Sequence, residues 1–137
     1  MKNKSFTLVE TTITLGVFSI IAMGVISTFN GSRDDLVLEN AQATVVQAFE
    51  QVRNRAATGV GEEKHSVYID ERTIVIFEGE TYTPGIGEET ILPSLVSTDQ
   101  NDLTVSFNRL SVQPNSTPTV TITYIDGTEK TVTIRKS

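Results

Sequence analysis

Residues 6–29 read FTLVETTITLGVFSIIAMGVISTF, and Glu10 is the only charged side chain in that run. At about 1.5 Å per residue, roughly 24 helical residues reach about 36 Å, enough to cross a hydrocarbon core of about 30 Å. Immediately before the run stands MKNKS, with Lys2 and Lys4. Basic residues beside an apolar segment hold that end in the cytoplasm, so residues 30–137 are expected on the far side. A cleaved secretory signal has a shorter apolar stretch, about 7–15 residues, that ends in a small-x-small site. A plain anchor, or a buried helix of a soluble protein, gives Glu10 no purpose. A carboxylate in hydrocarbon costs about 2.5–3.5 kcal/mol on insertion scales and is retained for a specific contact.

The whole chain has 137 residues, with 11 Lys plus Arg against 17 Asp plus Glu, a formal charge of −6. Removing Met1–Ser5 makes the remainder more acidic still. An acidic balance argues against a protein built mainly to grip nucleic acid. The absence of Cys excludes a disulfide scaffold, a zinc ribbon and a thiol nucleophile. With His65 as the only histidine, neither a Ser-His-Asp triad nor a histidine-rich metal site is expected.

Asn30-Gly31-Ser32 marks a kink or a cap where the helix leaves the bilayer. Beyond it, Leu38, Ala41, Val45, Ala48, Phe49, Val52 and Ala56 recur at helical spacing. Glu39, Gln42, Gln47, Glu50, Arg53 and Asn54 fall mostly off that stripe. A helix is expected from about Phe6 to Ala57, closing at Thr58-Gly59. Its second half needs a sheet against the stripe. Everything after Gly61 reads as β: HSVYID (65–70) and TIVIFE (73–78) around a tight turn near Glu71, then a loop over 79–87. A weak strand follows over 90–96, interrupted by Pro93, and then LTVSFN (103–108). Residues 119–125 and 130–135 alternate around Asp126-Gly127, which predicts a hairpin with a primed-type turn. Thr-rich alternation predicts one wet face and one face on the helix.

Lys4-Ser5-Phe6-Thr7-Leu8-Val9-Glu10, followed by the apolar run, resembles the type IV prepilin signature. That signature is a short basic leader, a small residue, then Phe-Thr-Leu-Ile/Val-Glu. The resemblance implies a pilin fold, α+β, with a long N-terminal helix packed on an antiparallel sheet. It also implies a leader at 1–5, a transmembrane helix and filament core at 6–29, an amphipathic helix at 30–58 and a β-rich head at 59–137. A prepilin peptidase would cut between Ser5 and Phe6 and methylate the new amino terminus of Phe6. Ser5 stands where the family usually has Gly. Glu10 would neutralise the terminal ammonium of a neighbouring subunit and so set filament register. Residues 40–77, with Gln-Val-Arg-Asn-Arg-Ala-Ala (51–57) closing the helix, resemble more loosely the GspH/FimT-like branch of minor pilins and pseudopilins. The implied partners are other pilin subunits, membrane lipid, the prepilin peptidase, and a membrane assembly platform with its ATPase. The implied location is the cytoplasmic (inner) membrane, single-pass, with the N-terminus in the cytoplasm and the head outside, and then a type IV pilus or type II secretion-like filament.

Little other chemistry is legible. Thr7, Thr11, Thr12 and Thr14 are expected to bond helix carbonyls, and Gly16 and Gly24 read either as marks of close helix packing or local unwinding or as ordinary small residues of a membrane helix. Asp99, Asn101 and Asp102 offer oxygen ligands at short spacing for calcium. They lack the Gly and distal Glu of a calcium loop, so a solvated loop is the favoured reading. Glu62-Glu63 and Glu88-Glu89 read as solvated pairs. Asn115-Ser116-Thr117 fits a glycosylation pattern too common to carry weight. Arg53, Arg55, Arg72, Arg109, Arg135 and Lys136 are dispersed. Arg135-Lys136 beside Lys130 gives only weak, salt-sensitive phosphate contact, so DNA is disfavoured as a partner. No nucleophile–base pair or metal set is evident, so no enzyme activity and no cofactor are expected. A structural filament subunit is the first reading. A DNA- or surface-binding tip pilin and a membrane-tethered β domain unrelated to pili are the alternatives.

Overall fold

The computed structural model describes residues 8–135, with the backbone only for 26–32. The chain is α+β. It divides into two compact units, with the boundary between Asp35 and Leu36. Helix α1 spans Leu8–Thr58 and contributes to both units. Helical backbone continues through Asn30-Gly31-Ser32, so of the kink or cap expected there the cap is absent. Gly31 costs a helix interior about 1 kcal/mol and Asn30 and Ser32 less, too little to end a helix with no proline there. The helix stops at Thr58 because Gly59 takes a φ of 67° and turns its N–H back to the Ala56 carbonyl at 3.2 Å.

Seven strands follow: β1 (His65–Asp70), β2 (Thr73–Glu78), β3 (Glu88–Ile91), β4 (Val96–Thr98), β5 (Leu103–Phe107), β6 (Thr119–Tyr124) and β7 (Glu129–Thr133). They form two antiparallel sheets, a four-stranded one in the order β3-β2-β1-β5 and a three-stranded one in the order β4-β6-β7. The sequence predicted one weak strand over 90–96. Instead Pro93 separates β3 from β4, and the two pieces join different sheets. Proline supplies no N–H to a ladder, so the run cannot continue through it.

All of Leu38, Ala41, Val45, Ala48, Phe49, Val52 and Ala56 are buried in one cluster with residues of both sheets. The four-stranded sheet contributes Val67, Ile69, Ile74, Ile76, Val105 and Phe107, and the three-stranded sheet Val96, Val120, Ile122, Tyr124 and Val132. Burial of each such aliphatic side chain is worth about 1.5–3 kcal/mol. The expected wet face exists on the three-stranded sheet, where Thr119, Thr121 and Thr123 alternate with buried residues. The four-stranded sheet differs. Ser66, Val75, Phe77 and Ser106 are buried on its other face. The 79–87 loop folds back there, and Tyr82 stacks on Tyr68 with centroids 4.1 Å apart. Gly87, at φ 113°, passes so close to β2 that a Cβ would lie 2.5 Å from the Ile76 carbonyl oxygen.

Two turns fix the sheets. Glu71 adopts a φ of 42° and hooks the β1–β2 turn to the other sheet. Its N–H bonds Gln100 O at 2.8 Å, and its carbonyl accepts from the Thr98 N–H at 2.7 Å and the Thr98 hydroxyl at 2.8 Å. Those bonds offset the cost of a left-handed non-glycine residue. The β6–β7 turn is not of the primed type predicted. A type I′ turn needs positive φ at both central residues, and here Gly127 has it (92°) while Asp126 does not. Gly127 donates to Tyr124 O at 2.8 Å, and Asp126 Oδ1 accepts the Thr128 N–H at 2.7 Å. Only glycine enters the left-handed region freely, and the Asp carboxylate caps the longer turn instead.

Candidate functional site

The apolar part of α1 comes first. Leu8–Val25 has a mean hydropathy of 1.8 and is entirely exposed. It is long and apolar enough to cross a membrane. Leu8, Phe18, Ile20 and Met23 are each more than 70% exposed. A continuous apolar surface of this kind calls for an apolar surrounding. Glu10 lies within the exposed apolar stretch of α1, two residues after Leu8. Around it, Thr12 Oγ1 donates to Leu8 O at 2.8 Å and Thr14 Oγ1 to Glu10 O at 2.7 Å. Ser19 does the same to Leu15 O at 2.8 Å. These hydroxyls are consumed by the helix itself, which lets polar groups sit in an apolar segment without an unsatisfied donor. A Cβ added at Gly16 or Gly24 would meet nothing within 4 Å. Lys2, Lys4, Ser5, Phe6 and Thr7, on which the cleavage reading rests, lie outside the described residues.

The head residues singled out in the sequence have structural occupations. His65 is buried, and its Nε2 bonds the Val60 carbonyl. Asp99 Oδ1 accepts the Thr121 N–H and a Gln100 side-chain N–H, both at 2.8 Å. Burial pushes the Asp99 carboxyl up, but the bonds from Gln100 and Thr121 outweigh it and leave it below the usual range. Asp102 takes a φ of 59° and neighbours Tyr68, whose hydroxyl is pushed up by burial and by the Asp70 and Asp102 charges. Asn101 is exposed. No grouping of three or more metal-ligating side chains occurs among the described residues. Asn115 Oδ1 accepts the Ser106 N–H at 3.0 Å, so that side chain fastens β5. Lys130 is half-buried and Arg135 exposed, and Lys136 lies outside the described residues.

Three arrangements were not legible in the sequence. Glu78 Oε1 accepts the N–H groups of Glu62 and Glu63 at 2.8 and 3.1 Å. The Glu63 and Glu62 bonds hold the Glu78 carboxyl below its ordinary range. Gly61 has a φ of 80°, a backbone that side chains rarely adopt, and a Cβ there would displace that carboxylate. Arg55 Nη2 donates to Glu88 Oε1 at 2.6 Å, and Gln51 Nε2 to its other oxygen at 3.1 Å, tying β3 to α1. The Arg55 bond holds the Glu88 carboxyl low. Leu110, at φ 60°, donates its N–H to Ala56 O at 2.7 Å, and the Arg109 Nε bonds Gly61 O at 3.2 Å, closing the helix end. All three pair residues far apart in the chain, where no local spacing announces them.

Comparison with protein-family models, with curated proteins and with solved structures finds no match in any of the three.

Proposed function

We propose that the chain is a non-catalytic filament subunit of the type IV pilin class, a minor pilin or pseudopilin. One observation carries the reading: Glu10 is the single charge of the Leu8–Val25 apolar helix, one turn from where Phe6 would begin a processed chain. The buried stripe from Leu38 to Ala56 supports it, because the same helix is greasy all round at one end and docked on sheets at the other. The free subunit rests in the cytoplasmic membrane with its head outside. Moving the apolar helix from lipid to neighbouring helices yields little hydrophobic gain, since lipid is already apolar. Assembly therefore depends on packing, on Glu10 pairing with a neighbour's amino terminus, and on work by a membrane platform and its ATPase. A prepilin peptidase supplies the terminus that Glu10 needs.

The test is the N-terminal residue and intact mass of the protein from its native membrane. A chain starting at methylated Phe6 is expected. A chain starting at Met1 replaces this reading with a membrane-tethered β domain, and a start beyond residue 20 makes it a secreted one. Glu10→Ala should leave membrane-inserted protein that fails to enter filaments; normal incorporation refutes the role of Glu10.

A further inference from the structure

The two sheets have four edge strands, β3, β5, β4 and β7. Two are closed by the chain itself. The outer side of β5 is covered by Pro114 and Asn115, with the Asn115 N–H on Ser106 O at 2.8 Å. The outward N–H groups of β4 are spent on Pro93 O (Val96, 3.0 Å) and Glu71 O (Thr98, 2.7 Å). The edges of β3 and β7 are left. On β7 one outward carbonyl, that of Thr131, takes a long 3.4 Å bond from Gln42.

Parity shows which groups face out. Leu92 N–H points toward β2, on Arg72 O, so Glu89 and Ile91 turn their backbone groups to the free edge. Ile134 N–H points toward β6, on Pro118 O, so Thr133 on β7 and Arg135 just beyond it do the same. In register, Glu89 lies beside Val75 and Ile91 beside Thr73, on the sheet face away from α1; Thr131 and Thr133 lie on the face opposite buried Val132. On both strands, then, the residues with free edge groups carry side chains on the face away from the core. Chirality ties the side a residue's backbone groups point to its strand direction and side-chain face. With both outer faces on the same side, two such edges can meet only antiparallel.

We propose that the β3 edge of one copy pairs antiparallel with the β7 edge of a second copy of this chain, Glu89 opposite Arg135 and Ile91 opposite Thr133. Each opposed pair then exchanges both N–H···O bonds. The contact sets the Glu89 carboxylate against the Arg135 guanidinium and lays Ile91, 64% exposed, over Thr133. Like edges repel: β3 brings Glu89 to a second β3, whereas β7 carries Lys130 and is followed by Arg135, with Glu129 at its far end. A free edge that attracts only its unlike counterpart makes a head-to-tail contact, which propagates as an open helical array rather than a closed dimer. The proposal deepens the filament reading and rests on it for the supply of aligned neighbours.

The chain has no Cys, so introduced cysteines report cleanly. Full-length chains carrying Ile91→Cys and Thr133→Cys, both at exposed positions, are co-produced and treated in native membranes and sheared filaments with a short bismaleimide. The mixture should link into dimers, the double variant into a ladder, and each single variant alone should remain monomeric. Linkage of Ile91→Cys with itself, or no linkage in the mixture, overturns the proposal. Glu89→Lys should lower the yield about three- to tenfold, and adding Arg135→Glu should restore it. An unchanged yield with Glu89→Lys counts against the pairing. N-terminal sequencing of the same samples separates the two readings. A Phe6 start without links removes the edge pairing alone, and a ladder from chains starting at Met1 removes the processing scheme alone.

Discussion

Leu36 and Leu38 are two residues apart on α1, and the same substitution should have opposite consequences at them. Leu38 is 1% exposed in the core cluster, while Leu36 is 56% exposed. Leu38→Ala deletes three carbons, about 2.4 kcal/mol at about 0.8 per methylene. The cavity left against both sheets adds to this, for a total loss of about 3–4 kcal/mol. Leu36→Ala removes little buried surface and should stay within about 0.5 kcal/mol. The assay is urea unfolding of the full chain in detergent, followed by tyrosine fluorescence. The chain has 3 Tyr and no Trp, and Tyr124 is buried in the same core. With a slope of about 1–3 kcal/mol per molar, the Leu38→Ala midpoint should fall by about 1–4 M and the Leu36→Ala midpoint by a few tenths. Comparable shifts for the two variants would show that the stripe does not face the sheets, and the fold argument would fail.

Other outcomes follow from single contacts. Gly87→Ala places a Cβ 2.5 Å from the Ile76 carbonyl and 2.9 Å from Val75 Cγ1, whereas the same change at Gly85 meets open space. Both residues have positive φ, so Gly85→Ala should cost about 1 kcal/mol and Gly87→Ala at least 2 more, read from thermal midpoints; equal losses refute the close approach of the loop to β2. Glu88→Gln should weaken the tie between β3 and α1 by less than about 1 kcal/mol at neutral pH, because the Arg55–Glu88 pair is largely exposed. The Arg55 bond depresses the folded Glu88 carboxyl. Its contribution is therefore complete above the unfolded carboxylate range and is lost as pH falls through the folded value. The gap between wild type and Glu88→Gln should close on acidification to about pH 2, and a gap that persists there refutes the assignment.

The local content of the sequence was enough for the helix. The apolar run, its one carboxylate and the seven-residue stripe depend on neighbours within a few turns, and every stripe residue is buried. The β1–β2 and β6–β7 hairpins are equally local, since short connections leave their strands few other partners. What only the tertiary structure decided is nonlocal. Pro93 could be seen to interrupt a strand, but not to send its two halves to different sheets. Tyr82 on Tyr68, Glu78 under Glu62 and Glu63, and Arg55 on Glu88 join residues whose separation carries no periodic signal. The expected wet face of the four-stranded sheet failed for the same reason: alternation reports which side chains share a face, not which loop later covers it. Helical periodicity is written into consecutive residues, whereas sheet order, loop cover and free edges are fixed only when distant segments compete for the same hydrogen bonds and apolar surface.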